Sequence, residues 1–183
     1  MGSMNIYVPC KTPGTGRSKM LATDQRSSAD TGAGLKELSL TEILNAPRRL
    51  TWQSWTEASQ VAQWWGPHEF SNPVCLWDAR PGGLIHIDMR APDGRIFPVR
   101  GVFHDVRALE WLDFTTTASA EVPGGDQLQV RHHVSFEGHD GRTRLTLQSR
   151  VVKTTAATAP AFAGMEEGWK QSFDRLAQLL AKM

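Results

Sequence analysis

The chain has 183 residues, 40% of them hydrophobic and 21% charged, and 20 Lys+Arg against 19 Asp+Glu leave a formal net charge of +1. One domain of that size buries enough surface to fold without a disulfide or a structural metal. The near-neutral balance lacks the basic excess of a nucleic-acid binder or a peripheral membrane protein, so neither partner is expected.

Gly, Ser, Thr, Pro and Ala dominate the stretch from Thr12 to Gly34. Such a composition cannot bury enough apolar surface to offset the entropy of ordering, and residues 1–34 are expected to be a disordered tail before a domain at 35–183. From Leu35 the pattern changes. Leu38 and Leu40 alternate with polar neighbours and lead into Ile43-Leu44, which predicts a first strand. Pro47 is placed at the first position of a short helix carrying Leu50, Trp52 and Trp55. Thr56 is read as the N-cap of a second, which carries Val61, Trp64 and Trp65 and ends at Gly66-Pro67.

Strands follow. One spans about residues 70–78, and Arg80-Pro81-Gly82-Gly83 turns it into a second with Ile85, Ile87 and Met89 on one face. Pro92-Asp93-Gly94 is the next turn. Phe97, Val99, Gly101 and Phe103 alternate in the strand after it, and Leu112 with Phe114 mark another. Leu128, Val130, His132, Val134 and Phe136 share a face, and Asp140-Gly141 returns the chain through Leu145, Leu147 and Val151. The chain closes with a helix from about Pro160 to Lys182, whose Phe162, Met165, Trp169, Phe173, Leu176 and Leu180 form one apolar stripe. Gly164 and Gly168 lie in it, each costing ~1 kcal/mol of helix propensity relative to Ala, so a close approach to that face is expected. The order predicts an α+β fold: a curved antiparallel sheet wrapped around a long C-terminal helix, with two short helices after the first strand.

The residues of that frame carry a resemblance. Ala46-Pro47-Arg48, Trp55-Thr56, Trp64-Trp65-Gly66-Pro67, Asp78 to Gly83, Pro92-Asp93-Gly94, Gly101, Gly164 to Trp169 and Asp174-Arg175-Leu176 together resemble the heat-shock-protein-90 ATPase activator homologues. That family belongs to the START/Bet v 1-like (SRPBCC) superfamily. The resemblance covers residues 35–183 and implies a helix-grip fold with a cavity between the long helix and the sheet. It also implies an apolar small-molecule ligand, lipid-like, aromatic or polyketide-like. Two departures touch a helix start and one packing position: Thr56-Glu57-Ala58-Ser59 stands where the family often has Thr-Asp-Pro-Glu, and Thr51 where Val or Ile is common. The chaperone work in the family name also depends on a separate N-terminal domain, which residues 1–34 are not expected to supply, so chaperone interaction is a lesser expectation.

Seven Trp and seven Phe make an aromatic interior the main chemical signal. Phe97, Phe103 and Phe114 from the sheet and Met165, Trp169 and Phe173 from the helix are expected to converge on one gap. Trp65, Ile87, Met89 and Val99 are expected to complete its wall. Such a gap is either a filled core or a partly open apolar pocket of the kind that holds small molecules. Strand alternation turns His132 inward and His133 outward. An inward imidazole is either a hydrogen-bonded core residue, a ligand anchor or, in a polyketide cyclase/dehydratase-type enzyme, a proton carrier. His86 and Asp88 share a face without a third ligand at fixed spacing, so no metal site is expected. No cofactor motif is present, and no catalytic residue is assigned. Cys75, inside a strand, is expected to be an inert thiol. Two distant cysteines, no leader-like opening segment and no apolar run of ~18 residues place the chain in the cytoplasm by expectation.

Overall fold

Period-two alternation is what builds this molecule. The computed structural model describes residues 36–119, 127–156 and 158–183; the expected tail at 1–34 lies outside them. The strands are β1 Glu37–Leu44, β2 Ser71–Trp77, β3 Leu84–Arg90, β4 Ile96–Arg107, β5 Trp111–Ser119, β6 Gln127–His139 and β7 Arg142–Lys153. The helices are α1 Arg48–Thr56, α2 Ala58–Trp64, α3 Ala159–Ala163 and α4 Met165–Leu180. The strands form one sheet in the order β1-β7-β6-β5-β4-β3-β2, every neighbouring pair antiparallel. Sequential hairpins thus make five of the six pairings, and β1 returns to pair with β7 at one edge. Among the described residues no helix is long and apolar enough to cross a membrane.

One face of the sheet is apolar and buried because the strands alternate in phase. Ile85 and Ile87 of β3, Val99 and Phe103 of β4, Leu112 and Phe114 of β5, Val134 and Phe136 of β6, and Leu145 and Leu147 of β7 all join one core. From the other side α4 lays Trp169, Phe173, Leu176 and Leu180 onto it. Burying side chains of this size contributes roughly 1.5–3 kcal/mol each, which outweighs the propensity cost of Gly168 inside α4.

The helix ends differ from the sequence expectation at three places. Pro47 is the N-cap, not the first helical residue: its backbone is extended (φ −60°, ψ 148°), and its carbonyl accepts from the Leu50 and Thr51 amides at 3.0 and 3.1 Å. Thr56 ends α1 instead of capping α2, since its hydroxyl donates back to the Trp52 carbonyl at 3.0 Å. A hydroxyl committed to the preceding turn cannot also receive the amides of the next helix. The closing helix is interrupted at Gly164, which separates the five-residue α3 from α4.

Thr51 is fully buried yet satisfied. Its hydroxyl donates to Thr143 Oγ1 at 3.0 Å, and Thr143 donates to the Ala46 carbonyl at 2.8 Å. A polar side chain at this position is therefore matched by a second one on β7.

Gly101 is the backbone position with least freedom. A Cβ there would overlap the Thr115 carbonyl oxygen on β5, where the strands close just before the register shift between Phe103 and Asp105. Because the obstacle is backbone and not a mobile side chain, Gly101→Ala should lower unfolding free energy by about 3 kcal/mol. Chemical denaturation measures this, and an unchanged midpoint would show that the two strands separate freely.

Candidate functional site

Between α4 and the sheet lies a hollow of about 250 Å³. Its sheet side is made by Met89, Val99, Thr116, Ala118, Leu128 and His132, and its helix side by Ala161, Gly164, Met165, Gly168, Trp169 and Ser172. Trp65, Gly66 and Pro67, from the turn after α2, form one rim. Small residues create the space: Gly164 and Gly168 carry no side chain on the helix, and Ala118 succeeds Phe114 on the same inward row of β5. The nearest atom to a Cβ built on Gly168 would be Pro67 Cγ at 4.0 Å, so the expected close approach there is no tighter than an ordinary van der Waals contact. At the far end Phe162 and Met165 pack on Leu128, Val130 and Val151.

Six of the residues expected at the gap line it: Trp65, Met89, Val99, His132, Met165 and Trp169. Five lie elsewhere. Ile87 is wholly inside the core, and Phe173 is packed 5.8 Å from Trp169 on the filled side. Phe103 and Phe114 pack with tilted rings 5.3 Å apart, and Trp77 is edge-on to both at centroid distances of 5.1 and 5.4 Å. Those three rings plug the end that the pocket would otherwise have occupied. Phe97 is half-buried beside Phe70 and under the Arg95 guanidinium. The sequence does not assign Thr116, Ala118, Ser172, Leu128, Ala161 or the rim pair Gly66 and Pro67 to the gap. The signal for the first two was present, since both continue the inward parity of Leu112 and Phe114; Ser172 follows Trp169 by one helical turn.

The tryptophan rim is held by hydrogen bonds that complete helix ends. The last carbonyls of a helix have no partner within it. At the end of α1, the Trp64 indole donates to the Ser54 carbonyl at 2.8 Å and the Trp77 indole to the Trp55 carbonyl at 2.7 Å. At the end of α2, Arg175 of α4 donates to the carbonyls of Gln63, Trp65, Gly66 and Pro67 at 2.8–3.2 Å. Burial holds the Arg175 pKa below its ordinary value. Ser172 Oγ accepts from the Gly66 amide at 3.1 Å and donates to the Gly168 carbonyl at 2.8 Å. Gly66 needs its left-handed backbone (φ +89°), and a Cβ there would press on Met89 Sδ at 3.2 Å. Trp65 is thereby set edge-on to Trp169, centroids 5.1 Å apart.

His132 is 2% exposed and bonded on both sides: Nε2 lies 2.9 Å from Thr116 Oγ1 and Nδ1 2.8 Å from Ser149 Oγ. Burial drives its pKa down to about 3, with Asp113 opposing weakly. It is a neutral core residue, and neither nitrogen can serve a ligand without losing a partner. His133 points outward, as alternation requires, 3.8 Å from Asp113. His86, Asp88 and Arg100 form an outer-face cluster, with Asp88 Oδ1 3.2 Å from His86 Nε2 and 3.1 Å from Arg100. Among the described residues no group of three or more His, Cys, Asp or Glu gathers as a metal site. The Cys75 thiol is pushed up to about 11 by burial, which makes it a poor nucleophile. A larger hollow of about 510 Å³ on the outer sheet face is polar. There Arg131 pairs with Asp113 at 2.8 and 3.2 Å.

The sequence profile of the family described as Activator of Hsp90 ATPase homolog 1-like protein matches residues 45–181. The chain belongs to this family. A crystal structure of a Nitrosomonas europaea protein is 25% identical, with a TM-score of 0.65 over 80% of this chain and 94% of its own. An Arthrobacter aurescens protein solved by NMR is 22% identical, with a TM-score of 0.71 over 82% and 92%. The AHSA1 protein of Silicibacter pomeroyi is 21% identical, with a TM-score of 0.67 over 80% and 98%. No curated protein matches. The family's fold is the α+β helix-grip fold of the START/Bet v 1-like superfamily, seen here with seven strands.

Two outcomes test this geometry. Arg175→Lys keeps the charge but cannot reach four carbonyls, and should cost about 2 kcal/mol of unfolding free energy; a loss below a few tenths would remove the clamp. For His132, the folded state stays neutral down to about pH 3 while the unfolded state takes a proton below about 6.5. Stability is thus fully present above pH 6.5 and falls on acidification, by up to about 1.4 kcal/mol per pH unit between those values. Denaturation from pH 7 to 4 should show this component in the wild type and not in His132→Gln. Parallel curves would refute the buried neutral imidazole.

Proposed function

We propose that the protein holds an apolar small molecule in the hollow between α4 and the sheet. The observation that carries this reading is the wall itself. Two tryptophans, two methionines and short apolar side chains line an open hollow of about 250 Å³. Pockets of this makeup bind by removing apolar surface from water, at ~25 cal/mol per Å². Met89 and Met165 adapt their thioethers to ligand shape, while Trp65 and Trp169 are held from behind by Trp77 and Trp55. Family membership supports the same reading.

A cyclase-like reading has less behind it. A proton carrier has its pKa near working pH and a nitrogen open to substrate. His132 has neither, and Thr116 and Ser149 occupy its two nitrogens. Its place in the wall is explained by holding β5, β6 and β7 together.

Titration with flavonoids, fatty acids, sterols and small arenes, read by tryptophan fluorescence, should give saturable quenching with at least one class. Ala118→Phe puts a ring into the hollow and should weaken that binding at least tenfold while leaving the fold intact by circular dichroism. No response from any class, or full-strength binding to Ala118→Phe, would overturn the proposal.

A further inference from the structure

We infer that the cavity takes a neutral molecule of one or two aromatic rings carrying one hydrogen-bond acceptor, set against the Thr116 hydroxyl; this rests on the small-molecule reading above. Size comes first. An apolar cavity of about 150 Å³ holds benzene. A hollow of about 250 Å³ therefore has room for a second fused ring, and a sterol or long acyl chain exceeds it. The two indoles, crossed at 76° with centroids 5.1 Å apart, present a corner of one face and one edge to a planar guest.

Charge comes second. No Lys, Arg, Asp or Glu is among the described residues of the wall. An ion in such a site would lose its water and gain no counter-charge. Arg175 is close along α4, but its guanidinium is spent on four carbonyls of the turn.

The acceptor follows from counting protons. Three polar side chains line the wall: Thr116, His132 and Ser172. Ser172 is committed on both sides, accepting from Gly66 and donating to Gly168. Thr116, His132 and Ser149 form a chain of two hydrogen bonds. The neutral imidazole brings one N–H, and each hydroxyl one O–H. Two of these three protons fill the two bonds, and one is left over, on Ser149 or on Thr116.

Ser149 is 2% exposed, and among the described residues its hydroxyl bonds only to His132. If the spare proton were there, a buried O–H would have no acceptor. Ser149 therefore donates to Nδ1, the imidazole proton sits on Nε2, and Nε2–H donates to Thr116 Oγ1. The spare proton is then the one on Thr116, in the wall of the cavity. A ligand acceptor there extends the chain to Ser149→His132→Thr116→ligand, each bond polarising the next. The hydroxyl two strands removed from the mouth thus sets which group the cavity offers.

Isothermal titration calorimetry with naphthalene, 2-acetylnaphthalene and 2-naphthoate tests all three elements. The acetyl and carboxylate compounds share a shape and differ in charge. Wild type should bind 2-acetylnaphthalene about five- to tenfold tighter than naphthalene, and 2-naphthoate at least about 100-fold more weakly than 2-acetylnaphthalene. Thr116→Val should bring the acetylnaphthalene-to-naphthalene ratio to near one, and Thr116→Ser, which keeps the hydroxyl, should preserve it. A wild-type ratio near one, or a preference that survives Thr116→Val, overturns the Thr116 assignment. Equal binding of 2-naphthoate overturns neutrality. Either result leaves the small-molecule function standing, as does binding of only fatty acids or sterols, which overturns the size limit; silence from every compound removes that function as well.

Discussion

Everything around the cavity depends on how the ends of two short helices are completed. Helices of nine and seven residues leave a large share of their carbonyls, those of the last turn, without internal partners. In isolation neither would persist in water. Here the orphan carbonyls are collected from outside: by the Trp64 and Trp77 indoles at the end of α1, and by Arg175 and the Asn72 amide at the end of α2. Arg175 is the one that spans elements. Its planar fork reaches several acceptors at once, which a lysine cannot do. It ties the turn after α2 to α4, and with Ser172 and Gln171 it makes that turn a fixed strap over the helix. The rim tryptophan, Trp65, is part of the strap. The cavity wall is consequently set by side-chain hydrogen bonds to backbone carbonyls and not only by side-chain packing.

The tryptophans divide between two kinds of work. Trp55, Trp64 and Trp77 are buried to 4% or less and fill the closed end, with Trp55 stacked on Trp169 at 6.1 Å. Only Trp65 and Trp169 reach the hollow. Trp52 packs edge-on to Phe136, and Trp111 lies on the outer face beneath Arg107. Aromatic excess in the composition therefore reports a densely filled core first. Openness arises where the aromatics stop, at Ala118, Ala161, Gly164 and Gly168. Filling one end with rigid rings and the other with glycine and alanine gives a small hollow that need not collapse, because its back wall cannot move inward.

The sheet was legible in the sequence because alternation is a strong and local signal. Each run, from Ile85-Ile87 to Leu145-Leu147, places the same parity inward, and hairpin turns at Gly82-Gly83, Gly94 and Asp140-Gly141 carry the positive φ angles that such turns need. Helix boundaries were less legible. Pro47 suits the first helical position and the N-cap alike, and Thr56 has two uses for one hydroxyl; tertiary context chooses. The site was legible in direction and not in depth. Parity says that Phe103, Phe114, Thr116 and Ala118 all face inward. It does not say that Trp77, arriving from the edge strand, covers the first two and stops short of the last two. The Arg175 clamp was invisible for the same reason, since it joins residues more than a hundred positions apart.

The buried histidine connects these themes. Its ring sits between Phe114 and Trp169, 5.0 and 5.5 Å from their centroids, where ionisation has no support. A leucine would fill that volume without any desolvated polar atom. What imidazole adds is two hydrogen bonds in opposite directions along the sheet, one to β5 and one to β7, from a side chain on β6. Three adjacent strands are thus locked in register at the level of the cavity floor. Ser149, the neutral imidazole and Thr116 together hold three protons for two mutual bonds, so the same chain that stiffens the floor also leaves it polar at a single point. Rigidity and a lone polar point have one origin here: a histidine too deeply buried to be charged.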